Sequence, residues 1–473
     1  MPPTNLLFIT TDQQRWDSLP CYGLDFMQTP HLDRLAQEGQ VFDHCYVASP
    51  VCVPCRAAML SGRWPTATGV LGNGAWLPDD MPTWPGLFSA AGYRTAAIGK
   101  MHFDPWAAMG GFDERIMAED KRHVYLPDDH VKYLRQHGLE RAHPTENPGY
   151  FEWLGASVTP LEKRFHVDGF TGDRGAEWLR AHGDKPFAAW VSFAGPHDPY
   201  DPPEEMASMY YDAPIPKPVG ARDELAEKPK AQLTAGDSRK NSMFRLDMRD
   251  ATPEQVRRWR AHYYANISLI DEGIGKMLQA LEEHGVLDNT LIVFTSDHGD
   301  ALGDHGMSFK GFFYDSMARV PLIARGPGVE AGVRSGGLVG TLDLVPLFYQ
   351  ACGVTPPPGL QGGNLGALFE DPQATIHQRV FSEILGRTMV RDQRYKYVYY
   401  ASGEAELYDM QEDPDEICNL AGREIDVENR LRGYLLEHML ANHRPLAQAV
   451  ARPQHPYRVA LEEAYAQGRD KRV

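Results

Sequence analysis

The stretch Leu6-Leu7-Phe8-Ile9-Thr10-Thr11-Asp12-Gln13-Gln14 decides the fold of this chain. A short apolar run that ends in polar side chains predicts a buried β-strand, which delivers those side chains at its carboxyl end. The residues before it contain neither a basic region nor a small-residue cleavage site. We therefore interpret the run as the first core strand and not as part of a signal peptide.

Helices and strands are expected to alternate along the rest of the chain. A first helix opens at Thr29-Pro30 and ends before Gly39. Three further pairs follow, each a helix before a strand: Trp84–Ala91 before Thr95–Ile98, Gly172–Ala181 before Phe187–Phe193, and Thr252–Glu283 before Thr290–Thr295. This order predicts an α/β fold with a mostly parallel sheet sandwiched by helices. Its ligands should lie beyond the carboxyl ends of the strands.

The alternation of helices and strands ends near residue 376. Three short segments that look like antiparallel strands follow, Val380–Glu383, Met389–Arg391 and Lys396–Tyr400, and then a helix near Ile425–Leu440. We divide the chain into a catalytic α/β domain at residues 1–375, a smaller C-terminal α+β domain at 376–442 and an extended arm at 443–473. The arm has apolar side chains but too little chain to bury them alone, so we expect it to pack across a neighbouring subunit of a homo-oligomer, a dimer or tetramer.

Two stretches, Ala118–Arg164 and Tyr200–Asp250, lack clean periodicity. Segments of this kind are expected as insertions over a site. They match no pattern that would identify the leaving group of a substrate.

Charge and composition exclude several classes of protein. Among the 473 residues, 47 are Lys or Arg and 64 are Asp or Glu, which gives a formal net charge of −17. This balance argues against a nucleic-acid or anionic-membrane partner. No apolar run approaches the roughly 18 residues of a membrane-spanning helix. The six cysteines form no disulfide framework. We expect a cytoplasmic enzyme.

The sharpest motif is Cys52-Val53-Pro54-Cys55-Arg56. Its two cysteines could form a redox pair or half of a zinc site. However, the sequence has no second Cys-x-x-Cys, and the surroundings do not resemble a thioredoxin-like setting. Cys-x-Pro-x-Arg is instead the pattern on which type I sulfatases have their cysteine oxidised to formylglycine.

Further motifs resemble the same family in chain order. They are Arg15, Asp17 and Cys21-Tyr22-Gly23; Thr29-Pro30-His31; Gly92-Tyr93-Arg94 through Lys100-Met101-His102; Gly195-Pro196-His197; Phe294 through Asp297-His298-Gly299; Lys310, Tyr314 and Arg319-Val320-Pro321; and, in the smaller domain, Tyr395-Lys396-Tyr397, Glu406-Leu407-Tyr408-Asp409 and Asp413-Pro414. The resemblance covers residues 5 to about 422. The chain is identified as a member of the sulfatase branch of the alkaline-phosphatase superfamily, close to arylsulfatases, choline sulfatases and phosphonate monoester hydrolases. This resemblance implies an alkaline-phosphatase-like fold and a sulfuric ester hydrolase.

A metal site is expected where two strand ends meet. Asp12 and Gln13 follow the first strand, and Asp297 and His298 follow another strongly apolar one. In a parallel sheet these ends can converge, which brings together ligands for one divalent cation; the product of Cys52 would be a further ligand. The alternative for Asp297-His298 is a helix N-cap with a neighbouring loop histidine.

The identity of the metal depends on the mixture of ligand atoms. Mixed oxygen and nitrogen ligands suit manganese or zinc, whereas the oxygen-rich set usual in sulfatases suits calcium. Gln13 and His298 stand here in place of a carboxylate and an amide. We expect manganese, with calcium or zinc as alternatives.

The nucleophile would be a hydrated formylglycine at position 52. One of its two hydroxyl oxygens, bound to the metal, attacks sulfur, and deprotonation of the other releases sulfate. Position 52 is also expected at the N-terminus of a helix through Arg56–Leu60, where the helix dipole favours an anion.

The supporting residues are assigned by charge and by the resemblance. Arg56 and Lys100 are expected beside the formylglycine and Lys310 beside the sulfate group. His102 would be the base that releases the product, and His197 the acid or hydrogen-bond donor toward the leaving oxygen. We assign no catalytic role to His305.

The expected function is hydrolysis of aryl or small alkyl sulfate monoesters, with activity also toward phosphonate monoesters and phosphodiesters. A formylglycine-generating enzyme is expected as a transient partner. Two alternatives within the hydrolases are a phosphonate monoester hydrolase or phosphodiesterase and a choline-sulfatase-like enzyme. A non-catalytic binding protein that kept the fold would be expected to lose a metal ligand or Cys52, and none is lost.

Overall fold

The computed structural model describes residues 3–124, 126–233 and 250–442 and the backbone of Val450–Ala451. Its strands are β1 (Asn5–Asp12), β2 (Gln40–Tyr46), β3 (Ala75–Trp76), β4 (Arg94–Gly99), β5 (Glu114–Met117), β6 (Phe187–Pro196), β7 (Thr290–Ser296), β8 (Arg319–Val320), β9 (Leu322–Arg325), β10 (Val333–Gly340), β11 (Arg379–Ile384), β12 (Arg387–Asp392), β13 (Tyr395–Tyr400), β14 (Ala405–Asp409) and β15 (Val450–Ala451). Its α-helices are α1 (Pro30–Glu38), α2 (Cys52–Ser61), α3 (Pro65–Thr68), α4 (Trp84–Ala90), α5 (Asp129–Gln136), α6 (Val167–His182), α7 (Glu204–Ala207), α8 (Lys230–Leu233), α9 (Pro253–Glu283), α10 (Asp315–Ala318), α11 (Leu344–Cys352), α12 (Ala367–Glu370) and α13 (Ile425–Asn442).

A large, mostly parallel sheet forms the centre of the molecule. Its strand order is β10-β2-β9-β7-β1-β6-β4-β5, and β8 pairs with β2. Strand β1 runs parallel to both β6 and β7, and β4 runs parallel to β5 and β6. This confirms the predicted α/β architecture. The carboxyl ends of these parallel strands therefore lie along one edge of the sheet.

Two apolar layers cover the two faces of this sheet. Because successive side chains of a strand point to opposite faces, Leu7 and Ile9 of β1 join one cluster and Leu6 and Phe8 join the other. The first cluster contains side chains of α1, α6 and α9, and the second contains side chains of α2, α4 and α11. Burial on both faces explains why β1 is a continuous apolar run and does not alternate with polar residues.

Strands β8 and β9 depart from the parallel pattern. Strand β9 is antiparallel to both β7 and β2, and β8 is antiparallel to β2. The two strands follow each other with only Pro321 between them. Alternation of helices and strands did not predict them, because no long helix separates β7 from β9.

The smaller C-terminal sheet contains the three predicted antiparallel strands and one more, in the order β11-β12-β13-β14. Helix α13 packs against it through Leu431 and Leu435. Strand β15 pairs with β3 of the same chain. The rest of the predicted arm lies outside the described residues, and the domain boundaries at 376 and 443 stay predictions. Among the described helices, none combines the length and apolarity needed to cross a membrane.

Candidate active site

Four buried side chains come together beyond the ends of β1 and β7. Ligand atoms of Asp12, Cys52, Asp297 and His298 all lie within 4.8 Å of one another. The Cys52 Sγ lies 3.1 Å from His298 Nε2 and 3.9 Å from Asp12 Oδ1. The sequence analysis predicted that these four residues lie close together, and in the structure they do.

The chemistry of this cluster suits a divalent cation. Asp12 and Asp297 contribute two fully buried carboxylates to it. The Nδ1 of His298 lies 2.9 Å from the carbonyl oxygen of Gly299, to which it donates. That hydrogen bond leaves the Nε2 lone pair directed at the cluster, as ligation requires. The residues present therefore fit a metal ion.

Gln13 borders the cluster and is held in a strained conformation. Its φ of 72° lies in the left-handed region, and its backbone N–H donates to Asp297 Oδ1 at 3.1 Å. The side-chain Nε2 donates to Asp300 Oδ2 at 2.6 Å. Asp300 therefore turns the Gln13 Oε1 toward Lys310, whose Nζ lies 2.5 Å away. This amide oxygen could bind a metal cation, but it also accepts a hydrogen bond from the ammonium group of Lys310.

Cys52 is the first residue of α2, so its side chain lies at the positive end of the helix dipole. The next backbone N–H, that of Val53, donates to Asn73 Oδ1 at 3.1 Å. Cys55 lies one turn further along, and its Sγ contacts Thr341 Oγ1 at 4.0 Å. Burial raises the pKa of the Cys55 thiol. The two cysteines therefore occupy different environments, which disfavours a redox pair or a shared zinc site.

The guanidinium of Arg56 connects three sides of the site. Its Nε donates to Asp297 Oδ2 at 2.8 Å and its Nη2 lies 3.3 Å from Asp12 Oδ2. The Nη1 donates to the carbonyl oxygen of Lys100 at 2.6 Å and to Ser192 Oγ at 2.8 Å. Burial alone would lower the pKa of Arg56, but the charges of Asp297 and Asp12 outweigh it and the pKa is raised. Arg56 is therefore a permanent cation at the cluster.

Lys100 follows β4 and lies on the other side of Asp12. Its Nζ is 2.7 Å from Asp12 Oδ2 and 3.1 Å from Asp120 Oδ2. Burial disfavours its charge, but Asp12 and Asp120 outweigh that effect and raise the pKa of Lys100. Gly99, the residue before Lys100, allows the end of β4 to pack closely on β6: its φ is 90°, and a Cβ there would lie 2.0 Å from the Ser192 carbonyl oxygen.

His102 lies two residues beyond Lys100 with a φ of 60°. Its backbone N–H donates to Glu119 Oε2 at 3.1 Å. Its ring stacks on Trp106, with ring centroids 5.6 Å apart. Its assigned role as a base stays a prediction.

His197 lies between two cations. Its Nε2 is 2.5 Å from Lys310 Nζ and 3.3 Å from Arg122 Nη2. Both neighbours can only donate, so Nε2 accepts, and Nδ1 donates to the carbonyl oxygen of Asp198 at 2.7 Å. Burial, Lys310 and Arg122 hold the pKa of His197 well below its ordinary range. Nε2 therefore carries no proton in this arrangement, whereas the sequence analysis predicted His197 as the acid or hydrogen-bond donor.

Comparison with known proteins decides the family. The family model described as Sulfatase matches residues 4–354, and a second model, N-sulphoglucosamine sulphohydrolase, C-terminal, matches residues 303–440. The chain belongs to the sulfatase family. A choline-sulfatase of Rhizobium meliloti (strain 1021) is 32% identical over 435 residues, 88% of this chain and 82% of that protein. An arylsulfatase of Clostridium perfringens (strain 13 / Type A) is 30% identical over 453 residues, 89% of this chain and 90% of that protein.

Among solved structures, this sulfatase resembles a phosphonate monoester hydrolase of Agrobacterium radiobacter. The TM-score is 0.80 at 26% sequence identity, and the match covers 95% of this chain and 97% of the other. The fold is therefore that of the alkaline-phosphatase-like sulfatases, and the protein is a sulfuric ester hydrolase.

Three charged residues of this sulfatase site were missed in the sequence. Glu119, Asp120 and Arg122 follow β5, within the stretch that had no clean periodicity. Burial alone would raise the pKa of Asp120, but Arg122 and Lys100 outweigh it and hold it well below its usual range. The signal that identified Asp12 and Asp297, a charged residue at the end of an apolar run, was absent here, because β5 has only four residues and two of them are charged.

Other family motifs lie beside the site. Arg15 forms ion pairs with Asp17 at 2.7 Å and Asp304 at 2.6 Å. His305 contacts Glu224 and stacks on Tyr314, with ring centroids 3.9 Å apart. These contacts fix the loop between β7 and α10, which carries Lys310.

Proposed function

We propose that this sulfatase hydrolyses sulfate monoesters of aryl or small alkyl alcohols with a formylglycine formed from Cys52. The observation that carries the proposal is the position of Cys52 Sγ. It lies at a helix N-terminus, 3.1 Å from His298 Nε2, in a cluster that Arg56 and Lys100 surround with positive charge. Turnover of p-nitrophenyl sulfate with added metal, by protein made with and without the formylglycine-generating enzyme, tests it.

Asp12, Gln13, Asp297 and His298 would hold the divalent cation, for which we propose manganese before calcium or zinc. A cation there supplies charge that lowers the pKa of a nearby hydroxyl group. A formylglycine at position 52 supplies that hydroxyl group for attack on sulfur.

The protein's own side chains would position the ester and stabilise its charge. Arg56 and Lys100 are fixed by buried carboxylates and face the nucleophile without having to reorganise. Lys310 retains 16% exposure of its side chain and would contact the sulfate group from the solvent side. Because Nε2 of His197 accepts from Lys310, we propose that Lys310 is the donor toward the leaving oxygen and that His197 orients it. His102 remains the proposed base for product release.

The charge of the site favours a substrate with a single negative charge. Five carboxylates, those of Asp12, Asp120, Asp198, Asp297 and Asp300, lie at the site with four cations, Arg56, Lys100, Arg122 and Lys310. The charge of Glu119 is balanced separately by its ion pair with Arg115 at 3.2 Å. A divalent metal ion would leave an excess of about one positive charge. A monoanionic tetrahedral ester neutralises it, whether its central atom is sulfur or phosphorus.

Hydrolysis of phosphonate monoesters is the second candidate function. The observation that favours it is the metal set with Gln13 and His298, together with the similarity to a phosphonate monoester hydrolase. Steady-state kinetics on p-nitrophenyl sulfate and p-nitrophenyl phenylphosphonate compare the two. If the phosphonate ester is neither turned over nor bound, the charge argument is contradicted. Choline sulfate belongs in the same series, because a choline-sulfatase is among the relatives.

We also propose a transient complex with a formylglycine-generating enzyme, a homo-oligomer that involves residues 443–473 and a cytoplasmic location. All six cysteines are free thiols, which is typical of a reducing compartment.

A lower assembly mass in light scattering after truncation at residue 443 would support the oligomer, and an unchanged mass would contradict it.

A further inference from the structure

Two partly exposed cationic side chains, those of Arg122 and Lys310, lie at the open side of the site. Cys52, Asp12, Asp297 and His298 are buried, whereas the side chains of Arg122 and Lys310 are each 16% exposed. These two side chains both contact Nε2 of His197. An ester bound at Cys52 would therefore direct its leaving group past Arg122 and Lys310.

A buried carboxylate oxygen that accepts no hydrogen bond from the described residues lies at this opening. Asp198 has 7% of its side chain exposed. Its Oδ1 lies 3.1 Å from His197 Nδ1 and 3.5 Å from Gln13 Nε2. Its Oδ2 has no hydrogen-bond partner among the described residues. Buried acceptors are nearly always paired with protein, water or ligand, so this oxygen indicates a missing donor.

The neighbouring donor is Arg122. Its Nη1 lies 3.9 Å from Asp198 Oδ2, too far for a direct hydrogen bond. The guanidinium cannot easily close that gap, because its Nε donates to Asp120 Oδ1 at 2.6 Å and its backbone N–H donates to the same oxygen at 2.9 Å. Asp120 is in turn held by Lys100. Arg122 is thus fixed in place before a substrate arrives.

We propose that Arg122 and Asp198 recognise a hydroxyl group adjacent to the sulfate ester, so that the substrates are monosulfates of vicinal diols, including catechol-type and sugar-type alcohols. This inference rests on the proposed function. A hydroxyl oxygen about 2.8 Å from each group fits the gap, accepts from Arg122 and donates to Asp198 Oδ2.

Other leaving groups fit this pair less well. A carboxylate or second sulfate would be repelled by Asp198, and a quaternary ammonium group would be repelled by Arg122. A purely apolar group would leave Asp198 Oδ2 buried without a donor, which is unfavourable. Arg122 and Asp198 therefore act as specificity-determining residues and select a neutral group that both donates and accepts.

Four sulfate esters test the proposal: phenyl sulfate, 2-hydroxyphenyl sulfate, 2-methoxyphenyl sulfate and choline sulfate. We expect the kcat/KM of the wild type for the 2-hydroxy ester to exceed that for phenyl sulfate by about 10- to 100-fold, the range for one hydrogen bond to a charged group. The methoxy ester can accept but not donate, so it should lose this preference. Asp198→Ala should reduce the ratio to near one. Comparing ratios between variants cancels the intrinsic reactivity of each ester.

Asp201→Asn is the matched control. Asp201 lies three residues from Asp198 and is also buried, but it pairs with Lys121 at 2.6 Å. This variant should keep the wild-type ratio. An equal ratio in the wild type and Asp198→Ala, or a preference for choline sulfate, would overturn the inference while phenyl sulfate turnover still supported the proposed function.

Binding provides a readout that does not depend on turnover. Calorimetric titration of the metal-loaded Cys52→Ala protein should show tighter binding of 2-hydroxyphenyl sulfate than of phenyl sulfate, and Asp198→Ala in that background should remove the difference. If no ester is turned over but the binding preference remains, the proposed function fails and the recognition stands. Equal binding of the two esters would overturn the recognition.

Discussion

The ammonium of Lys310 lies 2.5 Å from Nε2 of His197, so the lysine donates and the imidazole accepts. Together with burial, Lys310 and Arg122 keep the pKa of His197 well below its ordinary value of 6.5. A histidine of this kind stays neutral above that pH. We therefore expect His197 to position the donor and not to titrate during catalysis at neutral pH.

His197→Gln should therefore lower kcat by about 10- to 100-fold, as the loss of an orienting partner does. The shape of the kcat/KM profile between about pH 6 and 8 should not change, because no proton on His197 is gained or lost there. The profile is measured with p-nitrophenyl sulfate. A titration step that is present in the wild type and missing in the variant would show that His197 is the acid.

Arg56→Lys should reduce kcat by about 10- to 100-fold although the positive charge is kept. A lysine cannot reproduce the contacts of three guanidinium nitrogens with Asp297, Asp12 and the Lys100 carbonyl. Arg63→Lys is the control, since Arg63 lies just beyond the end of α2 and donates to the Pro358 carbonyl oxygen. Equal activity of the two variants would contradict the role of Arg56.

Removal of the metal should abolish activity, and manganese should restore it better than calcium, because His298 supplies a nitrogen ligand. His298→Asn replaces that nitrogen with an oxygen. We expect this variant to bind manganese more weakly and to shift its preference toward calcium. Titration of each ion into the stripped proteins measures the preference. Wild-type protein that prefers calcium would contradict the proposed metal.

Part of this site was predictable from the sequence because of one physical rule. Asp12 and Asp297 each follow an apolar run, and the ends of parallel strands meet at one edge. Cys52 and Arg56 belong to one motif on one helix turn, so their joint position was also predictable.

The positions of the other site residues and of strand β9 depend on contacts between segments that are distant in the sequence. The orientation of the Gln13 amide is set by Asp300, which lies 287 positions away. Arg122 follows β5, a strand of four residues at the sheet edge, too short for a clear period. Strand β9 lies antiparallel between β7 and β2, and no local sequence pattern predicts this position.

The stability of the protein should depend on pH through His377. Its Nε2 lies 2.9 Å from Asp343 Oδ2. Burial alone would lower the pKa of His377, but the hydrogen bond and charge of Asp343 outweigh it and raise the pKa above 6.5. The protonated pair therefore stabilises the fold fully below about pH 6.5, and this contribution is lost as the pH rises through the raised value.

His377→Gln should accordingly lower the free energy of unfolding at pH 6 more than at pH 9, as measured by urea denaturation. His137→Gln, at an exposed position on the surface, is the control. A loss of the same size at both pH values would contradict the pKa assignment.

The central claim is that Cys52, and not Cys55, becomes the nucleophile. Cys55→Ser should retain most activity, because Cys55 contacts Thr341 and not the cluster. The most direct test measures turnover of p-nitrophenyl sulfate against the fraction of aldehyde at position 52. That fraction is determined by peptide mass spectrometry, in preparations with graded amounts of the formylglycine-generating enzyme. We predict turnover proportional to the converted fraction and none in Cys52→Ala; full turnover by protein that retains the Cys52 thiol would contradict the account.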